Sequence, residues 1–144
     1  MRTCWCALLV SSVLIALFYS QMSGARLAST ALRIVYVTVP NHDVGLSIAR
    51  SVVENKLAAC VNIVPGIKSV YIWEGKVNED SEELLIMKTN EKQLEPLRKE
   101  VVRLHPYEVP EFVSLPIDHA SEPYGQWVLK NSLPDPAEAE ENSS

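Results

Sequence analysis

Cysteine is scarce: the chain has three in 144 residues, and two of them, Cys4 and Cys6, sit in its opening stretch. Cys60 is left alone in the rest, so no internal disulfide can brace it, and packing or self-association has to supply the stability. Acid is missing from the opening as well. No Asp or Glu precedes Asp43, while Arg2, Arg26 and Arg33 lie in that region. The whole chain lacks a basic excess, with 13 Lys and Arg against 18 Asp and Glu and a formal net charge of −5. A phosphate-binding surface needs a basic face, so the balance argues against nucleic acid, or an anionic membrane surface, as the main partner. Internal repeats are absent. What is there suits one globular domain: 47% hydrophobic and 22% charged residues argue against disorder, and the length is too short for two full cores.

The opening region reads as an address rather than as fold. Residues 5–19, WCALLVSSVLIALFY, are uncharged and mostly apolar. A membrane-crossing helix needs roughly 20 such residues, so the run is short for one. It matches the apolar part of a secretory signal, with Ser23-Gly24-Ala25 as a small-x-small cleavage site. Residues 1–25 are therefore expected to be a leader into the secretory pathway, giving a secreted or membrane-associated product. A mitochondrial presequence is the main alternative, supported by the missing acids, and an uncleaved signal anchor is the third. Residues 26–31 form a linker, 32–133 the domain, and 134–144 an acidic tail expected to be disordered.

Within the domain, LRIVYVTV (32–39) is β-branched and aromatic and is stopped by Pro40, which predicts a strand. Asn41 can cap a helix whose apolar stripe is Ile48, Ala49, Val52, Val53 and Leu57. Residues 59–73 predict a long strand interrupted by Pro65-Gly66, a bulge or bend. Glu74-Gly75-Lys76 is a tight turn, and the chain returns through LLIMKT (84–89), making a hairpin of unusual reach. Asn90 with Gln93 resembles a capping box for a second helix carrying Leu94, Leu97, Val101 and Leu104. A strand over 112–117 and a short helix opened by Ser121 and Pro123 follow. The order β-α-β-β-α-β plus a terminal helix is the split βαβ, ferredoxin-like α+β arrangement, with both helices on one sheet face. Tyr36, Tyr71, Trp73 and Met87 are expected on the other face, too much apolar surface to leave wet, so identical neighbours are expected to cover it.

This topology serves unrelated chemistries, so the side chains have to decide. No RNP-like run is present, and the loop after the first strand, Pro40-Asn41-His42-Asp43, has neither the paired cysteines of a copper chaperone nor the arginine of an acyl-phosphate hydrolase. Cys60 and His105 could form a nucleophile and base. The apolar context LAACVNIV, however, makes Cys60 a small hydrophobe with nothing nearby to lower its thiol pKa. LHPYEVPEF (104–112) carries the densest polar chemistry. Pro106 and Pro110 stiffen it and set the directions of His105, Tyr107, Glu108 and Glu111, which favours a ligand or subunit contact.

LAACVNIVPGIKSVYIWEGK (57–76), the acid-rich return strand, MKT, HPYEVPE and Tyr124 with Trp127 resemble the CutA divalent-cation-tolerance family, in order and over residues 34–129. The resemblance implies a ferredoxin-like protomer assembling as a homotrimer, with hairpins passing between subunits. It also implies a non-enzymatic role in divalent ion, chiefly copper, binding or response; animal members are linked instead to anchoring acetylcholinesterase at membranes. The family's copper ligands map onto Val37, Leu104 and Glu111, of which only Glu111 can ligate. His105 and Cys60 with Glu111 are then the remaining candidates for Cu(II) or another divalent cation. Tyr71, Trp73, Lys88, Tyr107, Glu108 and Trp127 are expected to line an inter-subunit cleft. No other cofactor is implied, and the expected partners are the chain itself and, in the alternative reading, a membrane or secreted enzyme.

Overall fold

A computed structural model describes residues 31–133. The expected leader (1–25), the linker through residue 30 and the acidic tail (134–144) lie outside the described residues. The elements run β1 (Leu32–Val39), α1 (His42–Glu54), β2 (Cys60–Trp73), β3 (Lys76–Asn90), α2 (Leu94–Leu104), β4 (Val113–Pro116) and α3 (Glu122–Asn131). The four strands form one sheet in the order β2-β3-β1-β4, each neighbouring pair antiparallel. This is the ferredoxin-like arrangement expected from the element order.

Local chemistry explains most boundaries. Asn41 is extended, and its side-chain oxygen accepts from the Val44 amide at 3.1 Å, satisfying one of the free donors that open α1. The helix ends at Asn55, and Lys56 turns the chain away with φ 53°. Asn90 caps differently from the expected box. Its side chain accepts from Lys92 N at 2.9 Å and opens a short 3-10 turn, Glu91–Gln93, ahead of α2. The same side chain donates to Ser132 at the end of α3, so the residue is shared between two elements.

Val35, Val37 and Val39 of β1 and Leu85 and Met87 of β3 point to one sheet face and meet Ile48 and Val52 of α1 and Leu97 and Val101 of α2. All nine are fully buried. Fully burying one such side chain contributes about 1.5–3 kcal/mol, so this layer carries most of the protomer's stability. Met87 corrects an expectation: it faces the helices, not the open face. It pairs with Val35, and cross-strand partners share a face. A smaller cluster of Leu32, Ala59 and Val128 seats α3.

The β2–β3 hairpin leaves this body. Its pairing is irregular between Val64 and Ile67, where Pro65 and Gly66 (φ 77°) place an extra residue in β2. Glu74 and Gly75 both adopt positive φ, the mirror-image turn whose twist matches that of the strands. Beyond the break no helix of the described residues buries these side chains: Val70, Ile72 and Val77 are 63%, 73% and 69% exposed on one face, with Tyr71 and Trp73 also exposed on the other.

Candidate functional site

The stiff loop after α2 is fastened by His105. The side chain is buried, Nε2 lies 2.8 Å from the Thr38 carbonyl, and Nδ1 accepts from the Tyr107 amide at 3.1 Å. An Nδ1 that accepts leaves the ring proton on Nε2 to be donated to Thr38, so both nitrogens are used inside the protein. The ring also meets Tyr107 edge to face, with centroids 4.8 Å apart. The loop is thereby held against the end of β1 and reaches the open face of the sheet.

There Tyr107 donates its hydroxyl to Glu82 Oε1 at 3.0 Å, and Tyr71 donates to Asp80 Oδ2 at 2.7 Å. Register explains the meeting: Ser69 opposes Asp80 and Tyr71 opposes Asn78, so alternate residues of β2 and β3 share this face. The result is a cavity of about 660 Å³. The sheet contributes Thr38, Ser69, Tyr71, Trp73, Asp80 and Glu82, and the loop contributes Tyr107, Glu108, Val109 and Glu111. Four carboxylates and three aromatic rings therefore border one space. Burial, and then donation to Glu82, pushes the Tyr107 phenol up to about 12. The hydrogen bond to Asp80 raises that of Tyr71, so both hydroxyls stay protonated donors.

The structure gathers five of the residues singled out in the sequence, Tyr71, Trp73, Tyr107, Glu108 and Glu111, and adds Asp80 and Glu82. It does not gather the rest. Lys88 is buried on the open sheet face, where it donates to the Asn62 side chain and, at 3.3 Å, to the Ile86 carbonyl. Trp127 stacks on Tyr124 of α3, with ring centroids 5.7 Å apart. Cys60 is half-buried at the start of β2, opposite Lys88 and outside the pocket wall. Among the described residues no three His, Cys, Asp or Glu side chains are grouped so as to hold a metal ion, which separates the expected set of His105, Cys60 and Glu111. A transition metal needs its nitrogen and sulfur donors at one point with free lone pairs. A second depression, of about 460 Å³ on α1, includes Asp43, Arg50 and Ser51. It has no aromatic wall, and the Ser51 hydroxyl is already given to Glu100 at 2.5 Å.

Fold and pocket together define a small ferredoxin-like α+β protein with an acidic, aromatic cavity beside an uncovered hairpin. The chain belongs to the CutA1 divalent ion tolerance protein family, whose profile matches residues 33–131. It is 61% identical over 99 residues to the chloroplastic CutA protein of Arabidopsis thaliana, covering 69% of this chain and 54% of that one. With the divalent-cation tolerance protein CutA of Thermus thermophilus it shares 48% over 99 residues, covering 69% of this chain and 96% of that one. The crystal structure of CutA1 from Oryza sativa superposes with a TM-score of 0.70 at 52% identity, covering 75% and 98%. The chain spans about half the length of the Arabidopsis relative and about two thirds of a rice one. No helix among the described residues is long and apolar enough to cross a membrane.

Proposed function

We propose that the protein is a non-catalytic, self-associating member of the divalent-cation-tolerance family whose pocket attracts divalent cations, copper among them. Asp80, Glu82, Glu108 and Glu111 would act by their summed charge on a hydrated ion rather than by direct ligation. The observation that carries this reading is four carboxylates lining one cavity, with no Lys or Arg among the described residues of its wall. Charge of one sign in a low-dielectric cleft raises the local concentration of counter-ions. His105 takes the role of a structural pin, and Cys60 that of a small half-buried hydrophobe.

Self-association is supported by the hairpin, which has exposed apolar side chains on both faces and no covering helix among the described residues. A homotrimer is the assembly proposed, with the pocket at the seam between copies. The address of residues 1–25 is proposed to lead to the plastid rather than into the secretory pathway, because two plant relatives are named as chloroplastic. A fluorescent fusion of residues 1–31 distinguishes the two destinations. For the main reading, Cu(II), Zn(II) and Ca(II) are titrated calorimetrically into wild type, His105→Ala and Glu108→Gln, with light scattering alongside. Salt-sensitive binding weakened in Glu108→Gln but kept in His105→Ala is expected. Tight copper binding that disappears only in His105→Ala would overturn it.

A further inference from the structure

We infer that the same pocket takes an aliphatic polyamine, an organic cation with two or more ammonium groups on a methylene chain. The inference shares the pocket with the proposed function but does not depend on divalent ions entering it. Its first support is Glu82, only 6% exposed. Oε1 accepts from Tyr107, whereas Oε2 has no donor among the described residues. Because no enclosed side-chain nitrogen or oxygen there lacks a partner, Oε2 opens onto the cavity. No Lys or Arg pairs with Glu82 among the described residues, so Oε2 is left for whatever enters the cavity. The cavity wall therefore holds a largely enclosed carboxyl group with an unused acceptor, and no Lys or Arg beside it among the described residues.

The second support is the wall. Tyr71, Trp73 and Tyr107 present aromatic rings to the same space. A hydrated inorganic ion gains little from them, but an ammonium group is attracted to ring faces and a methylene chain is buried against them. The carboxylates, for their part, come from two separate elements, Asp80 and Glu82 from β3 and Glu108 and Glu111 from the loop, and no three acidic side chains among the described residues form a metal-holding group. Separated anions match separated ammonium groups, each able to donate charge-assisted hydrogen bonds. A cavity of about 660 Å³ accommodates such a chain and far exceeds what a bare ion fills.

Isothermal titration of the full chain with spermidine, putrescine, butanediol and tetramethylammonium tests this. Spermidine is expected to bind most tightly and putrescine less so. Butanediol, which lacks charge, should give no heat, and tetramethylammonium, which lacks N–H donors, should bind more weakly than putrescine. Raising the salt should weaken the amines. Glu82→Gln should weaken spermidine about tenfold, and Glu108→Gln, at an exposed position outside the buried core, about fivefold. Equal binding of butanediol and putrescine, no heat for spermidine at millimolar concentration, or an unchanged spermidine affinity in Glu108→Gln would overturn the inference. Spermidine heats without divalent-ion heats would retire the divalent reading alone; the reverse would retire this one alone.

Discussion

The body of the sheet and the far half of its hairpin are made from the same two strands and could hardly be treated more differently. From Cys60 to Val64, β2 borders a layer in which Leu85 and Met87 are fully buried by two helices. From Ile67 onward, past the Pro65-Gly66 break, valine, isoleucine and tryptophan face outward on both sides. The composition hardly changes across the break, but the covering does. Strand residues of this kind are stable only where something else removes them from water. The body is thus built for the protomer, and the hairpin for a surface the protomer does not possess.

The comparison can be broken most severely in the body. Leu85→Ala removes a fully buried side chain and should cost about 2–5 kcal/mol of unfolding free energy, read from the denaturant midpoint. Between body and hairpin, Tyr107→Phe deprives the buried Glu82 carboxylate of its donor and should cost about 1–2 kcal/mol. The raised phenol also contributes stability that is complete below its ordinary value near 10 and is lost as the pH rises through about 12. The variant should lose that alkaline limb of the stability profile.

Glu100, which binds Arg103 and Ser51, gives the opposite limb. Those hydrogen bonds, that to Arg103 first, hold its carboxyl down at about 2 against an ordinary 4.5. Its contribution is present above 4.5 and lost as the pH falls toward 2, about 1 kcal/mol after solvent screening. Glu100→Gln should flatten the acid side of a pH-stability curve by that amount. The smallest effect on folding is expected at the hairpin. Ile72→Asp should leave protomer unfolding within about 0.5 kcal/mol of wild type, because the residue is already wet, yet reduce the particle mass seen by light scattering. If it destabilises the protomer instead, the two regions are not distinct.

Much of this division was legible in the residues. The element order, the long hairpin and its break followed from β-branched runs, Pro65-Gly66 and Glu74-Gly75. Met87 was not legible. LLIMKT is apolar at successive positions, so no polar alternation says which face turns inward; only pairing with Val35 decides it. Half the pocket was visible as aromatic and acidic residues near stiff prolines. Asp80 and Glu82 were missed, although the two-residue turn places them across from Ser69 and Ile67, so counting outward from Gly75 would have found them. The distance of Cys60 from the loop, by contrast, depends on where β2 begins within the sheet. No spacing in the chain encodes that.

The fastening of His105 has a mechanical consequence. Because the imidazole ties the loop to Thr38 on one side and to Tyr107 on the other, the wall that carries Glu108 and Glu111 cannot swing independently of β1. An occupant would meet a wall already tied in place at two points, with less loop entropy to lose on docking than a free loop would carry.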